Sequence, residues 1–336
     1  MKILFDNRMN NWSGIGRYSS NLINQFKEYN NLKPKISLLS NENKNEDLCF
    51  EKIKINSKVF SLKEQIEIPY LAKNKYDIYH SPHFVFPVMG KTNLILTIHD
   101  LTPLLFPDYF SIVARTYMKV MIHIAKLKAR KIITVSNNTK NDLIRLFNIS
   151  PQKIKVIYNG VKHKKKCNNK GKIGKIKKKF KIKYPYILYV GNVKPHKNIV
   201  RLIKAFKIIN KNYNKINLVI VGSRDNSYKE LIHTISNFPR KDNLILTGFV
   251  SDSELENLYS NAELFVYPSL YEGFGLPPLE AMTRGTPVIT SNLSSLPEVV
   301  GDAAIKVNPY DIDELANTIE MALFDNVLRK KLIKRG

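Results

Sequence analysis

The feature that most narrows the folds open to this chain is a rhythm of short, continuous apolar runs separated by amphipathic stretches. In the first half the runs are Lys2–Phe5, Ile78–His80, Leu94–Ile98, Ile132–Val135 and Ile154–Tyr158. In the second they are Tyr186–Val190, Leu218–Val221, Leu244–Thr247, Leu264–Tyr267, Pro287–Thr290 and Ala304–Val307. Most are apolar throughout rather than alternating, as expected of parallel strands covered on both faces. The stretches between them carry helical periodicity; Ile199 to Ile209 is apolar at 199, 200, 202, 203, 205, 206, 208 and 209. Strand–helix alternation of this kind builds right-handed crossover units and doubly wound α/β sheets. A chain of 336 residues has room for two such domains.

The boundary falls at a run of twelve lysines in 22 residues, Lys162 to Lys183, which holds no acid. We expect an N-terminal Rossmann-like domain over 1–161, a lysine-rich linker over 162–183 and a C-terminal Rossmann-like domain over 184–336. Residues with unusual chemistry gather where strands end: Gly14 and Gly16, His99-Asp100, Ser136, Asn159-Gly160, Gly191 to Asn198, Gly222, Gly248, and Glu272 to Glu280. Ligands of doubly wound sheets bind at the carboxyl ends of strands, so this placement implies a cleft there.

The densest cluster is Glu272-Gly-Phe-Gly-Leu-Pro-Pro-Leu-Glu280, which follows the run Leu264–Tyr267 directly. Gly273 and Gly275 let the backbone turn sharply and bring N–H groups close to a ligand. The prolines 277 and 278 suit a helix start, where N–H groups are orphaned anyway. A glycine turn leading into a helix is an anion site, with a diphosphate as the expected anion. Glu272 at the loop mouth and Glu280 about two turns into the helix would meet different parts of one ligand.

Composition removes several classes. No apolar run approaches the length needed to span a bilayer. Met1-Lys-Ile-Leu-Phe-Asp6 reads as a strand rather than an export signal, and Cys49 and Cys167 stand in unrelated contexts, so a reduced, cytoplasmic setting is expected. The net charge of +26 is concentrated in the 162–183 run, which reads either as a solvated linker or as an attraction to an anionic membrane surface. Nucleic acid is not the expected partner, because no aromatic platform accompanies the lysines.

Together, Gly14-Ile-Gly-Arg-Tyr18, Thr97-Ile-His-Asp-Leu101, Ile133-Thr-Val-Ser136, Val156-Ile-Tyr-Asn-Gly160, Val190-Gly-Asn-Val-Lys-Pro-His-Lys-Asn198, Leu246-Thr-Gly-Phe-Val250 and the Glu272 to Glu280 motif resemble the retaining GT-B glycosyltransferases of family 4. Within that family the stretch Thr97 to Pro103 with Phe106-Pro107 is similar to bacterial mannosyltransferases of surface polysaccharide synthesis. The resemblance implies two Rossmann-like domains facing each other across a cleft. It also implies transfer of a hexose, mannose favoured, from a nucleotide diphosphate sugar (GDP-mannose or a UDP-hexose) to a glycan or lipid-linked acceptor. No further cofactor and no metal are implied.

By the same resemblance, Glu280 would hold the ribose hydroxyls. Glu272 and the backbone N–H groups of Phe274, Gly275 and Leu276 would hold the donor sugar. Lys197 would neutralise the departing diphosphate, and His99 would approach the sugar from the N-terminal domain. Gly14 and Gly16 would let the first loop lie close to the donor, with Phe249 and Val250 also on the donor side. Asn192 stands where relatives often carry arginine, and His196 at another such place, so the second phosphate cation falls to Lys194 first and Arg201 after it. Arg17 reads equally as an acceptor-phosphate contact or a solvated first-turn arginine. Asp100 would orient His99 or its loop. With no nucleophile in these motifs, the acceptor would attack on the face the diphosphate leaves.

Asp311-Ile-Asp313 precedes an apolar-periodic helix and reads as a helix cap rather than a metal site. The stretch Ser111 to Lys131 places Val113, Tyr117, Val120, Met121, Ile124 and Leu127 among basic residues. Such a helix either covers a sheet or lies on an anionic membrane. Family members continue into a last helix that crosses back to the first domain, and its lack after Gly336 points to a fragment or a shortened member. A glycan phosphorylase or an epimerase would need a cofactor lysine or an acid pair unlike those here. The remaining alternative is a degenerate GT-B fold that binds nucleotide sugars, or serves as a partner subunit, without catalysis.

Overall fold

A computed structural model describes residues 1–28, 34–41, 49–162, 170–223 and 228–336. The chain forms two compact units, Met1–Asn159 and Gly160–Gly336.

Among the described residues unit 1 holds seven strands: β1 (Lys2–Asp6), β2 (Lys35–Ser40), β3 (Glu51–Lys54), β4 (Ile78–Ser81), β5 (Asn93–Ile98), β6 (Ala129–Thr134) and β7 (Ile154–Val156). Their order is β3-β2-β1-β4-β5-β6-β7, and every pairing is parallel. The helices are α1 (Ser13–Glu28), α2 (Glu64–Ala72), α3 (Thr102–Leu105), α4 (Ile112–Lys128) and α5 (Asn137–Phe147). Leu4, Tyr79, Leu96, Ile98 and Ile132 of the sheet are buried with Met118, Met121, Ile122 and Ala125 of α4. The helix therefore covers the sheet, though with a stripe rotated from the one its sequence suggests. Val113, Val120 and Leu127 stand exposed instead.

Unit 2 contains β8 (Tyr186–Val190), β9 (Asn217–Val221), β10 (Leu244–Gly248), β11 (Leu264–Tyr267), β12 (Val288–Ser291) and β13 (Ala304–Val307), in the order β10-β9-β8-β11-β12-β13, again parallel throughout. Its helices are α6 (Lys170–Phe180), α7 (Ile199–Asn212), α8 (Lys229–Ser236), α9 (Asp252–Ser260), α10 (Leu276–Met282), α11 (Leu296–Val300), α12 (Ile312–Phe324) and α13 (Asn326–Arg335). Part of the lysine-rich run is not a linker. Lys170–Phe180 is α6; its Ile173 and Ile176, with Ile182 just beyond it, are buried in the unit 2 core, while Lys172, Lys175, Lys178 and Lys179 are exposed. Residues 163–169 of that run lie outside the described residues.

Two strands escaped the sequence reading. β2 is interrupted by Ser37 and Ser40, and β3 is a charged edge strand, so neither gives a continuous apolar run. Both sheets share one topological consequence. In unit 1 the chain runs outward from β1 through β2 to β3, then returns on the other side at β4. In unit 2 it runs from β8 through β9 to β10 and returns at β11. Loops leaving β1 and β4, and likewise β8 and β11, diverge and open a crevice at the switch point of each sheet.

Candidate active site

The unit 2 crevice holds an ion pair. Lys197 closes a short turn, Pro195–Lys197, on the loop after β8, and Glu272 lies on the loop after β11. Lys197 Nζ donates to Glu272 Oε1 at 2.6 Å, and the two side chains are only 15% and 11% exposed. Burial pushes the Glu272 carboxyl up, but the Lys197 ammonium more than offsets this and holds it below the ordinary carboxylate value. Glu272 is therefore ionised at neutral pH. Lys197 Nζ also sits 5.9 Å from the ring centre of Tyr267.

Both loops are fixed by hydrogen bonds that leave little slack. Asn198, in the left-handed region at φ 61°, donates through Nδ2 to the carbonyls of Pro268 (3.0 Å) and Pro309 (2.7 Å). Its Oδ1 accepts from Arg201 at 3.0 Å, so Arg201 supports this asparagine. The Leu270 N–H donates to the His196 carbonyl at 2.8 Å and ties one loop to the other. Ser294 Oγ accepts from the Glu272 N–H (3.1 Å) and donates to the Glu272 carbonyl (2.7 Å). Ser295 Oγ lies 2.9 Å from that carbonyl and 2.8 Å from the carbonyl of Phe274.

Gly275 caps α10 at φ 105°, a conformation that disfavours a side chain, and a Cβ there would approach Leu296 Cδ2 to 2.6 Å. Partly buried Glu280 follows on α10, and the hydroxyl of buried Tyr259 donates to its Oε2 at 3.0 Å. Phe274 is buried and Leu276 partly so. Asn192 and Lys194 are exposed on the loop after β8, and Phe249 is 89% exposed beyond β10. Val250 differs from the expectation of a donor contact: its side chain is buried in the unit 2 core, which leaves only its backbone to face a ligand.

In unit 1, partly buried His99 follows β5, with Nε2 2.9 Å from the Pro82 carbonyl and its ring packed edge-on to Tyr18 at 4.8 Å. Burial holds the imidazole below the ordinary histidine value, although the Pro82 carbonyl and Asp100 pull the other way. Asp100 Oδ1 accepts from the Thr102 N–H at 2.8 Å, so it fixes the start of α3. Gly16 is needed within its own loop, since a Cβ there would lie 2.0 Å from the Asn10 carbonyl oxygen. Gly14 is exposed with open space beside it. In unit 2, Asp311 caps α12 by accepting from the Glu314 N–H at 2.9 Å. Among the described residues no group of three or more His, Cys, Asp or Glu side chains is placed to hold a metal ion.

Residues 172–336 match the family model described as glycosyl transferases group 1, and residues 60–165 that of glycosyltransferase family 4. O-antigen chain mannosyltransferase B of Escherichia coli is 34% identical over 77% of this chain and 68% of its own length. The chain belongs to glycosyltransferase family 4. A second relative, O-antigen chain mannosyltransferase RfbU of Salmonella typhimurium, is 36% identical over 68% of this glycosyltransferase and 60% of its own length. Among solved structures, Anabaena HepE in complex with UDP and glucose has a TM-score of 0.78 at 20% identity, covering 100% of this chain and 93% of that one. The glycosyltransferase WaaG of lipopolysaccharide biosynthesis has a TM-score of 0.75 at 15% identity, covering 100% and 94%. At such identities the structural likeness speaks to the fold, which is GT-B.

Sequence reasoning missed several residues that shape this glycosyltransferase's crevice. Tyr259, Ser294 and Ser295 reach Glu280 and the Glu272 loop from outside the motif, and no local pattern marks them. Asn198 was within the motif, and an asparagine just after a Pro-x-Lys turn is a signal for a left-handed residue that could have been read.

Proposed function

We propose that the chain transfers mannose, with retention of configuration and without a metal, from GDP-mannose or a related nucleotide diphosphate sugar to a growing surface glycan. The observation that carries this reading is the Lys197–Glu272 pair bridging the β8 and β11 loops at the unit 2 switch point. A diphosphate entering the crevice would compete with Glu272 for the Lys197 ammonium. The freed carboxylate would accept hydrogen bonds from sugar hydroxyls. Glu280, steadied by Tyr259, would take the two ribose hydroxyls. The backbone N–H groups of Phe274, Gly275 and Leu276 would serve the sugar, with Lys194 on the loop after β8 as a second cation for the diphosphate.

In the reaction, the bond from the anomeric carbon to the diphosphate oxygen breaks while the acceptor oxygen bonds to the same face. The acceptor proton passes to the departing phosphate oxygen. Charge grows on the diphosphate as it leaves, so a fixed Lys197 lowers the barrier. His99, whose imidazole burial holds below the ordinary histidine value, would offer its ring to a sugar hydroxyl. The mannose assignment draws on relatives named as mannosyltransferases of O-antigen chains.

Incubation with GDP-mannose and a mannose-terminated oligosaccharide, read by mass spectrometry and by the anomeric proton couplings of the product, tests the reading. An α-linked extension whose rate survives chelator is expected. Donor binding without transfer to any acceptor would favour the non-catalytic alternative, and an inverted linkage or a strict metal requirement would refute the mechanism.

The acceptor is proposed to sit on a lipid at an anionic membrane surface. No helix among the described residues is long and apolar enough to cross a membrane. Ile112, Val113, Val120 and Leu127 of α4 stand exposed among Lys119, His123 and Lys128, a mixture suited to the lipid interface. Binding to vesicles containing anionic lipid should fade as salt rises, since each basic group near the surface contributes about 1 kcal/mol. Equal binding to neutral vesicles would remove this element.

A further inference from the structure

The unit 1 switch point is lined differently. The loop after β1 carries Trp12, the loop after β3 carries Phe60, and the loop after β4 carries His83 and Phe84. Trp12 and Phe60 are stacked, ring centres 5.8 Å apart at 21°. His83 meets both rings edge-on, at 5.9 and 6.3 Å, and Tyr117 of α4 packs against Phe60 at 5.5 Å. Trp12 is 38% and Phe60 50% exposed, whereas Phe5 and Phe86 of the same unit are fully buried. Stacked rings so open to solvent are not filling a core.

Phe60 is also held where a phenylalanine does not rest by choice. Its φ is 68°, in the left-handed region that side chains other than glycine avoid. Glu64 Oε1 fixes it there, accepting from the Phe60 N–H at 3.1 Å. The Glu64 side chain is buried and bound to Arg8 at 2.9 Å, and Arg8 is locked onto Asp6 by two bonds of 2.9 and 2.6 Å. Tyr79 adds a hydrogen bond to Asp6 at 2.6 Å. Glu67 accepts from the N–H groups of Asn56 and Ser57 at 3.0 and 2.9 Å. A buried network thus maintains a strained loop whose visible product is an exposed ring, and strain of this kind gathers at ligand sites.

We propose that Trp12 and Phe60 form the platform on which a pyranose ring of the acceptor glycan stacks, an assignment that rests on the transfer reaction proposed above. The axial C–H face of a pyranose carries slightly positive hydrogens, which suit the negative faces of aromatic rings. The neighbouring ions Asp6, Arg8 and Glu64 are engaged with one another, so the crevice suits a neutral ligand rather than a phosphate. His83 Nδ1 is buried without a hydrogen-bond partner among the described residues, and a sugar hydroxyl would supply one.

Trp12 is the chain's single tryptophan, so emission excited at the red edge, where tyrosine does not absorb, reports this platform alone. Titrating the full chain with mannotriose should change Trp12 emission saturably, while guanosine should leave it unchanged. In transfer assays Trp12→Ala and Phe60→Ala should each raise the acceptor KM roughly tenfold or more, with the donor KM unchanged, and Phe60→Trp should retain most of the acceptor affinity. The proposal is overturned if mannotriose leaves the emission unchanged, if guanosine alone changes it, or if both alanine variants keep the parental acceptor KM. Should no sugar be transferred at all, the function proposed above fails while the emission titration still decides the platform.

Discussion

The two switch crevices of this protein are built from the same topology and furnished with opposite chemistry. In unit 2 the loops after β8 and β11 meet through a charged pair, Lys197 and Glu272, backed by the hydroxyls of Ser294 and Ser295. In unit 1 the loops after β1 and β4 meet through aromatic rings and neutral imidazoles, while the nearby ions Asp6, Arg8 and Glu64 are buried and mutually engaged. The contrast teaches that a doubly wound sheet specifies where a ligand binds, and that loop residues decide which ligand. Fixed charge suits a diphosphate; a ring face with hydroxyl partners suits a sugar.

The comparison breaks most visibly if the charged pair is removed. Lys197→Ala should lower turnover roughly a hundredfold or more, because losing one preorganised charge partner costs about 2.7–4 kcal/mol. It also strands Glu272 in a nearly buried site, so urea denaturation should register a loss on the order of 3–5 kcal/mol. A variant with near-parental turnover would mean that the pair is structural only.

A smaller effect is expected at Glu280. Glu280→Ala should weaken nucleoside diphosphate binding by about 1.5–3 kcal/mol, and Tyr259→Phe, which removes one neutral donor to that carboxylate, by about 0.5–1.5 kcal/mol. Titration calorimetry with GDP and UDP measures both. Equal affinities for parent and Glu280→Ala would remove the ribose role.

A third difference concerns pH. Burial lowers His80 to about 4, and burial together with His99 lowers His83 to about 3, from an ordinary value of 6.5. The fold therefore favours their neutral forms. Unit 1 keeps this stability above pH 6.5 and loses it as pH falls from 6.5 toward about 4 and then 3. Glu272 lies below its ordinary 4.5, so its contribution is present above that value and is lost only on further acidification. Urea midpoints followed by Trp12 emission should decline between pH 6.5 and 4, and His83→Phe should flatten the slope. A flat profile in the parent would show that these imidazoles are solvated.

Much of this was legible in the sequence, for reasons that differ by region. The continuous apolar runs of β8, β9, β11 and β12 have the length and pattern of buried parallel strands, so both sheets were readable except for interrupted β2 and charged β3. The cluster from Glu272 to Glu280 stood out because its glycines, prolines and acids lie within a few residues of one another, whereas the role expected of Lys197 came from the family resemblance. Their union was not announced, since 75 residues separate Lys197 from Glu272. The unit 1 platform was not legible at all. Trp12, Phe60 and His83 come from three loops, and nothing local marks Phe60 as left-handed. The 162–183 run misled because its lysine count concealed Ile173, Ile176 and Ile182, whose burial makes α6 part of unit 2. Val250 misled for the same reason: motif membership does not say which way a side chain points.

The central claim is that the unit 2 switch crevice binds a nucleotide diphosphate sugar through Lys197, Glu272 and Glu280. Isothermal titration of the parent and of Lys197→Ala with GDP-mannose, GDP and guanosine tests it most directly. The parent should bind GDP-mannose and GDP far more tightly than guanosine, and Lys197→Ala should lose most of that difference while its weak guanosine affinity is unchanged. Parent and variant showing the same preference for the diphosphates over guanosine would contradict the account.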